Sequence, residues 1–235
     1  ELAKAFNAQQ NQHHVAVPAS IGTAGALREV EEGTATIGRV GRPLKPAERD
    51  RGLTYVPLGR DAVVFVAGAG VTVRDVTREQ MVAAYTGKIT DWRELGGKPD
   101  PIRAIGREVT DASRQVIDRG VPGFANIQFH EGVKTVHLDP HLIELLDRFP
   151  TSLGFLNRSG LQAAKSKLVI LSLDGVAPSP DNLRSGRYPL WLEFGLIYKP
   201  GALTDAGRAF LQFIQSPAGL RILQHHGVLT GNANR

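Results

Sequence analysis

Residues 101–115 read PIRAIGREVTDASRQ, and 86–97 just upstream read TGKITDWRELGG. The first stretch has an apolar core at Ile102–Ile105, a small polar turn at Thr110–Ser113, and helix-forming residues from Ala112 onward. That pattern predicts a strand, a turn and a helix start. Free N–H groups at a helix start attract anions, and the hydroxyls of Thr110 and Ser113 add directed donors. Arg107 and Arg114 bracket the turn and supply charge in a geometry that suits oxyanions. Asp111 has two readings: it caps the helix and points away, or it faces the anion across a shared proton.

Working outward, the same grammar recurs near the beginning of the chain. Glu1–Gln10 carries Leu2, Ala5 and Phe6 at helical spacing, and Val15–Val17 is short and β-branched, which predicts a strand. Ser20–Gly25 then bends into a predicted helix over Ala24–Glu32, whose first N–H groups, with Ser20 or Thr23, form either an anion site or an ordinary capped turn. A strand over Thr36–Arg39 leads into GRPLKPAE at Gly41–Glu48, with Arg39 and Arg42 facing either solvent or a cleft.

Asp61–Ala67 is almost continuously apolar, which predicts a strand covered on both faces. Thr77 is the expected N-cap of a helix that stops at Gly87, and Trp92 the expected anchor of the following turn. Residues 121–139 carry little pattern. Beyond them, helices are expected over Pro140–Arg148, Asp205–Gln215 and Ala218–His226, with strands at Thr151–Phe155, Leu168–Leu173 and Trp191–Tyr198.

The composition narrows the classes. A chain of 235 residues, 42% hydrophobic and 22% charged, is long enough for one large or two modest domains. Cysteine is absent, which removes disulfides, thiol catalysis and thiolate-bound zinc. The net charge of +5 suits an anionic partner, but the arginines are scattered, so nucleic acid is not expected. No apolar run is long enough to span a bilayer, and the first residues lack the basic and apolar regions of a signal peptide. Adjacent histidines at 13–14 and 225–226 point apart, His130, His137 and His141 are expected at the surface, and no nucleophile elbow or phosphate-loop lysine is present. No metal or other cofactor is expected, and no enzymatic activity.

Several local patterns occur in a shared order: the glycine-rich turn at Gly22–Ala26, GRPLKPAE, TGKITDWRELGG, GRE with a small polar turn and Arg114, SLGFL at 152–156, DGVAPSPDNLRSGRYPL at 174–190, and FLQFIQSPAGLRIL at 210–223. In this order the chain resembles the phosphate-binding type of type 2 periplasmic solute-binding proteins, components of ABC importers. The resemblance implies an α/β fold of two lobes joined by two hinge crossings. Lobe I would hold residues 1–60 and 161–235 and lobe II residues 61–160, with hinges near Val63 and Phe155. It also implies noncovalent binding of a small oxyanion, phosphate above all, by a monomer that serves an ABC permease. The location would be periplasmic or extracellular, with a lipid anchor on the full-length precursor as one option. The implied ligand groups are Thr23, Ala24, Arg42, Ser113 and Arg114, followed by Arg39, Arg107 and Asp111. Three departures stand out: the chain begins inside the family's first helix, Gly41–Arg42 lacks a hydroxyl common there, and Asp111 stands where a serine is usual. The alternative is a sensing or partner-binding module of the same fold with altered or lost anion binding.

Overall fold

The computed structural model describes residues 1–231. The chain divides into two compact units, Glu1–Asp61 with Glu193 onward, and Ala62–Leu192.

Unit 1 begins with α1 (Leu2–Gln9), whose Phe6 ring meets Phe210 edge-on at 5.4 Å and Phe213 at 5.6 Å. Val15–Val17, expected as a strand, is irregular. It is tied down through Asn7, whose side chain both donates to and accepts from the Val15 backbone at 2.9 Å, leaving no strand partner for those groups. Then come α2 (Gly22–Glu32), β1 (Gly38–Val40) and α3 (Pro46–Arg49). Strand β2 (Thr54–Ala67) begins in this unit and continues into the next.

Unit 2 takes the second half of β2, then β3 (Asp75–Val76), α4 (Arg78–Tyr85), β4 (Arg103–Arg107), α5 (Ala112–Gly120), β5 (Lys134–Val136) and α6 (Asp139–Arg148). It continues with β6 (Ser152–Asn157), α7 (Arg158–Ala163), β7 (Val169–Ile170), β8 (Ser172–Leu173) and α8 (Pro180–Arg184). Its main sheet runs β2-β6-β4-β5, with β2 antiparallel to β6 and the β6-β4-β5 pairs parallel. Parallel strands covered by helices on both faces read as apolar runs, and all six residues of β6 are indeed buried. Thr77 caps α4 reciprocally with Gln80, and the Trp92 indole donates to the Thr151 carbonyl at 2.9 Å.

The chain returns to unit 1 through β9 (Trp191–Tyr198), α9 (Asp205–Gln215) and α10 (Pro217–His225). There β9 lies between β1 and β2, and only a glycine fits at 195, where a Cβ would come within 2.4 Å of the Val56 carbonyl oxygen. The core of this unit gathers Ala26, Val30, Val40, Leu44, Leu53 and Ile197.

The return to unit 1 falls after Leu192, not near residue 160, so Phe155 lies on no crossing. Three pairings hold residues 161–192 in unit 2: β7 with Val66 and Ala67, β8 with β3, and the Val63 amide with the Leu190 carbonyl at 2.9 Å. Each joins residues far apart in sequence, which local pattern does not reveal.

Candidate anion site

In unit 2, β4 ends at Arg107 and α5 starts at Ala112, as the spacing of 101–115 predicts. Asp111 is the N-cap of α5: its Oδ1 accepts from the Arg114 amide at 2.9 Å. The Gln115 amide donates to the Asp111 carbonyl, also at 2.9 Å. The carboxylate also faces its strand. Arg107 Nη2 donates to Asp111 Oδ2 at 2.6 Å and to the His137 carbonyl at 3.0 Å, while Nη1 donates to Asp139 in the first turn of α6. Asp111 therefore caps the helix without pointing away, because its second oxygen pairs with Arg107.

Arg107 is only 4% exposed, and a guanidinium that buried needs partnered charge. Its Nε has no hydrogen-bond partner among the described residues. Burial pushes the Asp111 carboxyl up, more than Arg107 and the Arg114 amide pull it down, and Asp139 pushes the same way. Beside this cluster, the His137 imidazole pairs with Glu108 at the surface.

Arg114 has a different environment. Its Nε donates to Asp118 at 2.6 Å, and its guanidinium carbon lies 4.4 Å from the centre of the Phe129 ring and 5.0 Å from that of Phe124. These contacts make it a cation held against aromatic faces. Phe129 reaches that place because Gly106 has no side chain: a Cβ there would come within 2.2 Å of the ring. Ser113, next to Arg114 in the first turn of α5, is buried.

In unit 1, α2 starts without a side-chain cap; its N-cap residue is Ile21. Thr23 Oγ1 accepts from the Gly41 amide at 3.0 Å, which ties the helix start to the turn after β1. Ala24 is exposed in the same turn of helix. Arg42 is engaged in a two-pronged pair with Glu48 at 2.7 and 2.8 Å, and its Nη1 also donates to the Pro43 carbonyl. The Arg42 pair holds the Glu48 carboxyl down at about 2, against the opposing push of burial. Arg39 is exposed, with its guanidinium 5.3 Å from the centre of the Phe194 ring.

The structure thus brings Arg107, Asp111, Ser113 and Arg114 together at one strand–helix junction, and Thr23, Ala24 and Gly41–Arg42 together where the start of α2 meets the turn after β1. Sequence reasoning missed Asp139, Phe124 and Phe129, all in the weakly patterned stretch 121–139. A proline at 140 right after Asp139 was the one available signal that Asp139 sits in a helix start. Among the described residues no group of three or more histidine or acidic side chains could hold a metal ion.

Two α/β units, each presenting helix starts at the ends of strands, define the type 2 periplasmic-binding-protein fold. The model of the PBP superfamily domain matches residues 1–218, and the chain belongs to that superfamily. It is 28% identical over 205 residues to the phosphate-binding protein PstS of Bacillus subtilis, a match that takes in 83% of this chain but only 64% of that protein. The chain thus spans less than two thirds of that relative's length. With the phosphate-binding protein PstS of Borreliella burgdorferi it shares 22% identity over 97% of this chain and 84% of the relative. A solved structure from Clostridium perfringens, assigned as a phosphate ABC transporter substrate-binding protein and holding phosphate, superposes with a TM-score of 0.84. The identity is 26%, covering 98% of this chain and 93% of the other.

Proposed function

We propose that this chain binds a small inorganic oxyanion, phosphate in the first instance, reversibly and without making or breaking a bond. Its role is to hand that ion to an ABC permease from the periplasm or the cell exterior. One observation carries the reading: the buried Arg107 guanidinium at the end of β4 already holds oxyanion groups, the carboxylates of Asp111 and Asp139. A receptor for carboxylate oxygens is chemically a receptor for phosphate oxygens. The similarity to proteins named for phosphate binding supports the same ligand class.

In unit 2 the proposed ligand groups are Arg107 and Ser113, with Arg114 positioning the start of α5 from its aromatic cage. In unit 1 they are Thr23 and the amides around Ala24, with Arg42 holding the neighbouring turn and Arg39, exposed on β1, as a further charge. Titration calorimetry with phosphate, arsenate, sulfate and molybdate tests the reading. Saturable binding of phosphate at one site is expected, and no heat and no thermal shift with any of the four ions would overturn it.

A second reading has its own support. Each Nη group of Arg107 already donates to a carboxylate of the chain itself, as expected of a module that senses or binds a partner and has lost its ion. Absence of oxyanion binding together with unimpaired folding would favour it.

A further inference from the structure

We propose that Asp111 is a built-in competitor for the anion: its carboxylate takes the Arg107 and helix α5 donors that an incoming oxyanion would use, and so sets how tightly, and which, oxyanions bind. The inference rests on the oxyanion reading above and deepens it.

The geometry is specific. One oxygen of Asp111 accepts the α5 amide of Arg114, and the other accepts Arg107 Nη2 at 2.6 Å. A tetrahedral oxyanion at a helix start needs donors of those two kinds, a backbone amide and a fork of guanidinium N–H groups. Asp139 fills the remaining terminal nitrogen of Arg107, so two carboxylates face one guanidinium and the cluster carries an excess of negative charge. The neighbouring cation does not correct this, because Arg114 is spent on Asp118. Arg107 Nε, buried and without a partner among the described residues, shows that the cluster still has donor capacity that no protein group uses. The raised position of the Asp111 carboxyl fits a group whose charge is poorly compensated. A dianion must therefore displace Asp111 or approach it against repulsion, and a smaller charge on the ligand lowers that cost.

Asp111→Ser separates this role from capping, because serine caps helix starts about as well as aspartate while carrying no charge. Calorimetry at pH 8 with inorganic phosphate and with sulfate is the readout, on the full chain and on Asp111→Ser and Asp111→Asn. Removing one facing charge is expected to tighten phosphate binding by about tenfold or more in both variants. Sulfate, a dianion without a proton to donate, is expected to gain at least as much. Unchanged or weaker phosphate binding in both folded variants, with the unaltered chain binding normally, would overturn the role of Asp111 and leave the oxyanion reading standing. If neither the unaltered chain nor the variants bind any oxyanion, the oxyanion reading itself falls, and this inference with it.

Discussion

The two helix starts, α2 in unit 1 and α5 in unit 2, follow similar local grammar and end up in opposite electrostatic states. Helix α2 begins after Ile21 with no side chain accepting from its first amides. Helix α5 begins under a carboxylate that is also clamped by a buried arginine from the preceding strand. A helix start is a general anion-binding device, and here one copy is left to solvent while the other is filled from within. The arginines follow the same division. Arg42 and Glu48 form a one-to-one pair across a single turn, whereas Arg107 answers two carboxylates from two different helices.

The largest effect should come from removing the cation that unit 2 depends on. Arg107→Ala leaves Asp111 and Asp139 facing each other without a counter-charge, in side chains only 17% and 26% exposed. Breaking a buried pair by deleting one partner costs about 3–5 kcal/mol, and the partial exposure of the carboxylates favours the lower end. Urea unfolding should show a loss of about 3 kcal/mol, part of it recovered in Arg107→Ala with Asp111→Asn. A loss under about 1 kcal/mol would mean that the cluster is solvated and that the contrast between the two helix starts is weaker than drawn.

The acid response should differ in sign between the units. Glu48 titrates at about 2 in the folded chain, against about 4.3 in an unfolded one. Its pair with Arg42 therefore stabilises the fold above about pH 4.3 and is lost as the pH falls toward 2, the usual course for a depressed carboxyl. After discounting for solvent at the partly exposed arginine, about 1–2 kcal/mol is at stake. Asp111 is raised, chiefly by burial, so its ionisation costs stability as the pH rises above the unfolded value. Comparing urea midpoints at pH 6 and pH 3 should show a smaller acid-side loss in Glu48→Gln than in the unaltered chain. An identical loss in both would remove the Arg42–Glu48 pair as a contributor.

Much of this architecture was legible in the sequence because it is local. The caps at Thr77 and Thr204, the prolines opening α6 and α10, and the strand–turn–helix at 101–117 all depend on residues within one or two turns of each other. Asp111 was readable as a cap for the same reason. Its second partner was also nearby, but a pairing back to Arg107 depends on how β4 and α5 are set, which spacing alone does not fix. The cage around Arg114 was not readable, since Phe124 and Phe129 lie in an irregular stretch and Phe129 reaches the guanidinium only because position 106 is glycine. The return of the chain at Leu192 was hidden in strands two residues long, whose partners lie about 100 positions away.

The smallest effect is the most direct test of the contrast, because it tries to turn α2 into α5. Ile21→Asp places a carboxylate at the uncapped start of α2, on a side chain that is 39% exposed and can change without opening the core. Asparagine and aspartate are among the best N-caps and isoleucine among the worst, and a negative charge there also meets the helix dipole favourably. The full gain of about 1 kcal/mol is not expected, since residue 21 has ψ near 8° instead of the extended backbone that caps prefer, and Ile21 packs over Gly25. A gain of about 0.5 kcal/mol in urea unfolding, falling with added salt, is the expected outcome. If the α2 start takes part in holding an oxyanion, the same substitution should weaken phosphate binding while stabilising the fold, the reverse of what Asp111→Ser should do to binding. Stabilisation with unchanged phosphate affinity would restrict anion binding to the α5 junction, and destabilisation would show that α2 cannot accept a cap at all.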